Sequence, residues 1–189
     1  EKAEEEHEGS VRVMKFALIT ADKSHNVRFK INGMKGDVTS FMQWVDVLGG
    51  VHLSFKSLTG NDDNYLKEFD LVMMSGHPSH VTDIIRIAEM LKSSDTISMF
   101  YPEGSAQFYD NSIMGFQPFY YEAWKACDII SIVEEDKQDY YEAFVDPQKT
   151  IVRFIHVPLT EEMQNGYFFK NRDRKWNYSV VYGDNNPNH

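Results

Sequence analysis

The feature that most constrains the fold is an alternation between short apolar runs and longer segments with helical periodicity. Six runs rich in Ile, Val, Leu, Met and Phe predict strands, and most of these runs are continuous. Continuous apolar runs are typical of strands covered on both faces, as in a parallel sheet flanked by helices. The predicted strands are residues 15–20, 51–57, 70–75, 96–101, 128–133 and 150–157.

The segments between these strands predict amphipathic helices. The first helix is expected to end at Gly49 and Gly50, because glycine is favoured just past a helix C-terminus. Residues 61–67 are too short for a full crossover helix, and the polar residues 21–35 predict a loop. The expected helix starts are Asp37 and Ser79 as N-caps, Pro118 and Glu134. This alternation predicts an α/β, Rossmann-like, doubly wound parallel sheet with helices on both faces and the first strand inside it.

Charge and composition exclude several classes of protein. The formal net charge of −10 argues against a nucleic-acid partner, because affinity for nucleic acid comes mainly from Lys and Arg that neutralise phosphates. No apolar run approaches the roughly 18 residues that a membrane span needs. The single cysteine, Cys127, cannot form an internal disulfide, which fits a cytoplasmic location.

The chain divides into three parts by composition. Residues 1–13 are acidic and read as a tail or linker, and residues 14–176 form the predicted Rossmann-like domain. Residues 177–189 contain one more strand-like run and a turn-forming loop, which we interpret as the truncated start of a second domain.

The common phosphate-binding and hydrolase motifs are absent from the sequence. There is no P-loop, no Gly-x-Gly-x-x-Gly fingerprint, no Gly-x-Ser-x-Gly elbow and no zinc-ligand spacing. The candidate site is therefore the carboxyl edge of the predicted sheet, where open α/β sheets bind ligands. At that edge, Gly36 and Asp37 are expected at a helix N-terminus that attracts anions, although a turn with an N-cap would explain them equally.

Histidines and carboxylates follow three of the predicted strands. His77 and His80 come after the third strand and could act as a general base or as hydrogen-bond donors, or simply be solvated. Glu103 follows the fourth strand, beside an aromatic-rich stretch that could stack on a ring-shaped acceptor or pack over the sheet. Glu134 follows the fifth strand, where helix capping alone would also account for it.

Three stretches of this pattern resemble the N-terminal half of a GT-B glycosyltransferase, a class with two facing Rossmann-like domains. The run Phe69-Asp-Leu-Val-Met-Met-Ser-Gly-His77 is similar to a strand with a trailing histidine. Residues 126–135 resemble a strand followed by an acidic helix start. Residues 150–159 look like the strand that leads to the closing turn of the domain.

The resemblance implies a hexosyltransferase that moves a sugar from a nucleotide-sugar to an unknown hydroxyl acceptor. It implies neither a cofactor nor a bound metal, and it places the donor-binding, C-terminal domain beyond residue 189. His77 would be catalytic, and the residues that bind acceptor or donor phosphates would be Gly36, Asp37, His80, Glu103 and Glu134. The alternative from a different class is a non-catalytic α/β module that binds a small ligand or a protein.

Overall fold

The six continuous apolar runs form one sheet. The computed structural model describes residues 13–21, 28–31, 34–37, 40–58, 63–76, 78–102, 117–158 and 161. The strands are β1 (Phe16–Thr20), β2 (Arg28–Ile31), β3 (Met34–Asp37), β4 (Val51–Ser54), β5 (Leu71–Met74), β6 (Ile97–Phe100), β7 (Ile129–Ile132) and β8 (Ile151–Phe154). The helices are α1 (Ser40–Leu48), α2 (Val81–Leu91), α3 (Gln117–Ala126) and α4 (Gln138–Glu142), with 3₁₀ turns at Phe55–Ser57, Asp63–Glu68, Pro78–His80 and Glu135–Lys137.

The main sheet has the order β4-β1-β5-β6-β7-β8, and every pair of neighbours is parallel. This confirms the predicted α/β class with a Rossmann-like parallel sheet. β1 lies between β4 and β5, and all five of its residues are buried, so the first strand is in the interior of the sheet as predicted. β2 and β3 form a separate antiparallel hairpin.

The two faces of the sheet carry different helices. Phe16 and Leu18 pack with Trp44 and Val45 of α1, so this side is the α1 face. The alternate residues of the strands face a larger cluster built from α2, α3 and α4, which defines the α2–α4 face. The chain moves in one direction along the sheet from β1 to β4, and in the opposite direction from β5 through to β8. Right-handed crossovers therefore place α1 on one face and the later helices on the other.

Two predicted N-caps are wrong, each because a different local structure takes the position. Asp37 is the last residue of β3, paired with Arg28 across the hairpin, and α1 begins only at Ser40. Ser79 lies inside the 3₁₀ turn Pro78–His80, so His80 holds the N-cap position of α2.

The second predicted strand is shorter than expected because a 3₁₀ turn replaces its last three residues. Ser54 is extended and its hydroxyl accepts a hydrogen bond from the Lys56 backbone N–H at 3.2 Å, which caps the turn Phe55–Ser57. Among the described residues between Leu58 and β5, the helical structure is the short 3₁₀ turn Asp63–Glu68, which agrees with the prediction that residues 61–67 are too short for a full crossover helix. A 2.6 Å ion pair between the buried Asp63 and Arg86 holds this turn against α2.

Two glycines join α1 to β4. Gly49 has a φ of 67°, a left-handed conformation that favours glycine, and Gly50 N donates to Val45 O at 3.0 Å. This is the Schellman arrangement at a helix C-terminus. Gly50 lies directly against Phe16, whose carbonyl oxygen would be 2.7 Å from a Cβ added at Gly50. The predicted glycine stop of the first helix is confirmed.

Several predictions fall on residues outside the described ranges. These include most of the acidic segment 1–13, the whole of residues 177–189 with the strand expected there, and the aromatic stretch before Gln117. Within the described ranges, none of the helices has the length and apolar character needed to cross a membrane.

Candidate functional site

The strand order of the main sheet reverses between β1 and β5. The chain leaves β1 toward β4 on one side and, after crossing over, continues from β5 on the other side. Crossovers on either side of such a reversal diverge, which opens a crevice at the carboxyl ends of the two strands. Thr20 ends β1, and Ser75 and Gly76 directly follow β5. These residues therefore lie where the topology favours ligand binding.

Five residues with hydroxyl groups lie in register across the sheet near its carboxyl edge. Thr20 is paired with Ser54, and the β1–β5, β5–β6 and β6–β7 registers extend the row by one residue at each strand. Backbone hydrogen bonds from Ser75 N to Ile19 O and from Tyr101 N to Met74 O, both 2.9 Å, continue the ladders to this level. This hydroxyl row consists of Ser54, Thr20, Ser75, Tyr101 and Ser131, with Arg153 next to Ser131 on β8.

The hydroxyl row is buried on the α1 face. Its members alternate along their strands with Ala17, Ile19 and the other residues of the α2–α4 face. Thr20 and Ser54 have clear partners: Thr20 Oγ1 lies 2.8 Å from His52 Nε2, and the Ser54 hydroxyl donates to Ala21 O at 3.2 Å. Burial of a hydroxyl is favourable only when such partners exist.

Two members of the hydroxyl row differ in this respect. Ser75 and Ser131 are both 0% exposed, and throughout the described part of the chain neither Oγ atom has a hydrogen-bond partner. At the amino edge of the sheet, by contrast, polar groups are paired. Asp128 accepts from the backbone N–H and the hydroxyl of Ser98 at 2.8 and 2.7 Å, and the Thr96 hydroxyl donates to Phe69 O at 2.8 Å. Of the two, Ser75 lies at the strand-order reversal, where the topology favours ligand binding, whereas Ser131 lies two strands from β5.

His80 lies at the same edge on the α2–α4 face. Its ring stacks on Phe55, with centroids 5.1 Å apart and planes 16° apart. A Cβ at Gly76 would come within 3.0 Å of both His80 and Phe55, so glycine at the end of β5 lets the two rings pack there. Of the described residues, none supplies a hydrogen-bond partner for the buried His80 Nδ1. This nitrogen can donate to a ligand atom or accept from one, according to its tautomer.

Glu134 follows β7 by two residues and occupies the N-cap position of the turn Glu135–Lys137. Its side chain makes no capping hydrogen bond there, but its place at the start of the turn agrees with the alternative that the carboxylate interacts with the helix dipole. Burial, and secondarily the charge of Glu134, raise the pKa of Tyr141 well above its usual range. Glu134 is at the carboxyl edge, two strands from β5.

The other predicted site residues either lie in the β2–β3 hairpin or fall outside the described residues. Gly36 and Asp37 lie in the β2–β3 hairpin, opposite Phe29 and Arg28, rather than at a helix N-terminus. The expectation that helix N–H groups at these two residues would bind an anion is therefore wrong in its structural basis. His77 and Glu103 lie outside the described residues, one position after Gly76 and one after Pro102.

The described residues form no metal centre, and their cysteine is not a reactive thiol. The structure brings no group of three or more His, Cys, Asp or Glu side chains together in these ranges. Cys127 is buried, and burial raises the pKa of its thiol far above the usual range, so it stays protonated and unreactive at neutral pH.

The hydroxyl row contains residues that were not expected from sequence. A partial signal for it exists, because the first, third and fourth apolar runs each end at a residue with a hydroxyl group: Thr20, Ser75 and Tyr101. Periodicity alone assigns such residues to strand ends without showing that they share one face and one level.

Comparison with protein-family models, with curated proteins and with solved structures finds no match to this chain. The strand order establishes a six-stranded, Rossmann-like α/β fold. The comparisons do not indicate an activity for it.

Proposed function

We propose that this chain is the acceptor-side domain of a GT-B-type glycosyltransferase, which transfers a hexose from a nucleotide-sugar to a hydroxyl acceptor. The observation that carries the proposal is the pairing pattern of polar groups. At the strand-order reversal, the Ser75 hydroxyl and His80 Nδ1 have no hydrogen-bond partner among the described residues, whereas Asp128 and Thr96 at the amino edge both make hydrogen bonds. Because the two groups lie on opposite faces of the sheet, separate hydroxyls of an acceptor at the carboxyl edge would pair with them.

The reaction makes one bond and breaks one. The acceptor oxygen bonds to the anomeric carbon of the sugar, the bond from that carbon to the diphosphate oxygen breaks, and the hydroxyl proton leaves for a base. His77, which follows Gly76 at the end of β5, is the proposed base. His80 orients the acceptor, and Glu103 contacts it from the end of the neighbouring strand β6.

Gly36, Asp37 and Glu134 have supporting roles in this proposal. The β2–β3 hairpin, which contains Gly36 and Asp37, belongs to the β1–β4 connection, and we propose that it approaches the acceptor or the donor phosphates. Glu134 lies at the carboxyl edge beyond β6 and bounds the acceptor site. The donor-binding half belongs to a second Rossmann-like domain in this proposal, so catalysis requires the two domains together.

Transfer by the full-length gene product tests the proposal. The protein is incubated with nucleotide-hexoses and methyl glycosides, and the glycosylated product is measured by mass spectrometry. His77→Ala should lower kcat/KM at least about tenfold, equivalent to about 1.4 kcal/mol of transition-state stabilisation.

His156→Ala is the matched control, because His156 is exposed and follows the edge strand β8. Its kcat/KM should stay within about twofold of the unaltered protein. Equal losses in both variants contradict a specific role for His77. Ligand binding without any transfer would assign the chain instead to the class of non-catalytic binding modules.

A further inference from the structure

Ser75 is the member of the hydroxyl row that follows β5, beside the reversal of strand order between β1 and β5. It directly follows β5, and its neighbours in the row are Thr20 on β1 and Tyr101 on β6. Its backbone N–H is fixed by the 2.9 Å hydrogen bond to Ile19 O. The position of the side chain is therefore set by the sheet itself, which is the most rigid part of the fold and the best support for a binding group.

Ser75 shares its unpaired state with Ser131, whereas other buried serine and threonine hydroxyls of the described residues are paired. Thr96, Ser98 and Thr150 are also buried, and the hydroxyl of each donates to an acceptor at 2.7 to 2.9 Å. The Ser75 hydroxyl makes no such bond to any described residue, although it is 0% exposed. A buried hydroxyl without a partner destabilises the fold, whereas alanine at the same position would not.

The surroundings of Ser75 indicate what kind of atom it binds. Its neighbours in the row, Thr20 and Tyr101, are uncharged, and Trp44 of α1 lies on the same face, in a T-shaped contact with Tyr101 at a centroid distance of 6.4 Å. Trp44 Nε1 is a second buried donor with no partner in the described ranges. A serine hydroxyl both donates and accepts, and an indole N–H only donates. Each of the two groups can donate to an uncharged oxygen that accepts hydrogen bonds.

We propose that the Ser75 hydroxyl is a specificity-determining binding group for an uncharged oxygen of the acceptor, a sugar or polyol hydroxyl. This inference rests on the proposed function only in taking the ligand to be the acceptor. Because the hydroxyl is buried, the atoms above it must separate when the ligand enters. The hydrogen bond then forms away from water, where loss of a partner is strongly penalised and selectivity is high.

Ser75→Ala and Ser131→Ala in the 189-residue chain test the proposal as a matched pair. Both serines are buried, unpaired among the described residues and on the same face, but Ser131 lies two strands from β5. Each substitution should raise Tm by about 2–4 °C, since it removes an unsatisfied hydroxyl. Ser98→Ala, which removes a paired hydroxyl, should lower it.

Glycoside binding is expected to distinguish the Ser75 variant from the Ser131 variant. The dissociation constants of methyl glycosides are measured by titration NMR for each variant. Ser75→Ala should raise Kd at least about tenfold, whereas Ser131→Ala should leave it within about twofold. Ser75→Cys, which replaces the hydroxyl with a somewhat larger and weakly donating thiol, should bind weakly in the same way and serves if the alanine variant does not fold.

Unchanged glycoside binding by Ser75→Ala overturns the inference while leaving the proposed transfer reaction intact. A fall in the Tm of Ser75→Ala overturns it as well, because it shows that the hydroxyl has a structural partner. If the unaltered chain binds none of the glycosides, the assigned ligand class is wrong, and the transfer assay on the full-length protein then decides the proposed function separately.

Discussion

Trp124→Ala is expected to lower the free energy of unfolding by about 4 kcal/mol. Trp124 is 0% exposed and lies on the inner side of α3, where its ring contacts Phe100 of β6. It also packs against Tyr141 of α4 at a centroid distance of 4.8 Å. Removing the indole leaves a cavity where a strand and two helices meet, and the rigid sheet on one side prevents collapse of that cavity.

Urea denaturation followed by far-UV circular dichroism measures this loss. Phe119→Ala is the control, because Phe119 is on the same helix but 57% exposed, and the expected change is within about 0.5 kcal/mol. A loss below about 1.5 kcal/mol for Trp124→Ala would contradict the placement of α3 on the α2–α4 face.

Gly50→Ala is expected to lower the free energy of unfolding by about 3 kcal/mol. The added methyl group would overlap the ring of Phe16 and lie 2.7 Å from the Phe16 carbonyl oxygen. Phe16 is buried and is the first residue of the interior strand β1. Neither its ring nor its backbone can move aside without disturbing the pairing of β1 with both neighbours.

Gly49→Ala measures the cost of backbone strain at a position where an added methyl group meets no steric crowding. Gly49 has a positive φ of 67° and nothing within 4 Å of an added Cβ, so only the backbone strain of about 1 kcal/mol is expected. Both variants are compared by thermal and urea unfolding. Similar losses at the two positions would mean that β4 does not begin against Phe16 as described.

The main sheet was predictable because its strands are covered on both faces. A strand such as β5 needs apolar residues at every position, so Leu71–Met74 stands out in the sequence as a continuous run. The interior position of β1 follows from the same property. Helix α3 was equally clear, since Pro118 falls within its first turn and the observed start is Gln117.

The β2–β3 hairpin, which takes the position predicted for the N-cap of α1, was not predicted. The polar composition of residues 21–35 predicts a loop, whereas the structure has the β2–β3 hairpin. The pair Asn32-Gly33 between β2 and β3 is the sequence signal that could have identified it, because this dipeptide favours two-residue hairpin turns. With the hairpin in place, Asp37 belongs to a strand and cannot cap α1.

The sequence does not show that the Ser75 and Ser131 hydroxyls lack partners. Whether Ser75 meets Thr20 and Tyr101 depends on the register of three strands that are joined by long crossovers. Whether a buried hydroxyl then finds a partner depends on tertiary packing. A histidine in a loop is a candidate site residue because its side chain can act as an acid or a base. A serine at the end of an apolar run predicts only the end of a strand.

The most direct test of the central claim is backbone amide chemical-shift mapping of the 189-residue chain during titration with methyl glycosides. A ligand in the crevice at the strand-order reversal should shift the amides of Ala21, Ser75, Gly76 and Tyr101. Shifts confined to the amino edge, at Asp70 and Asp128, would contradict the placement of the site.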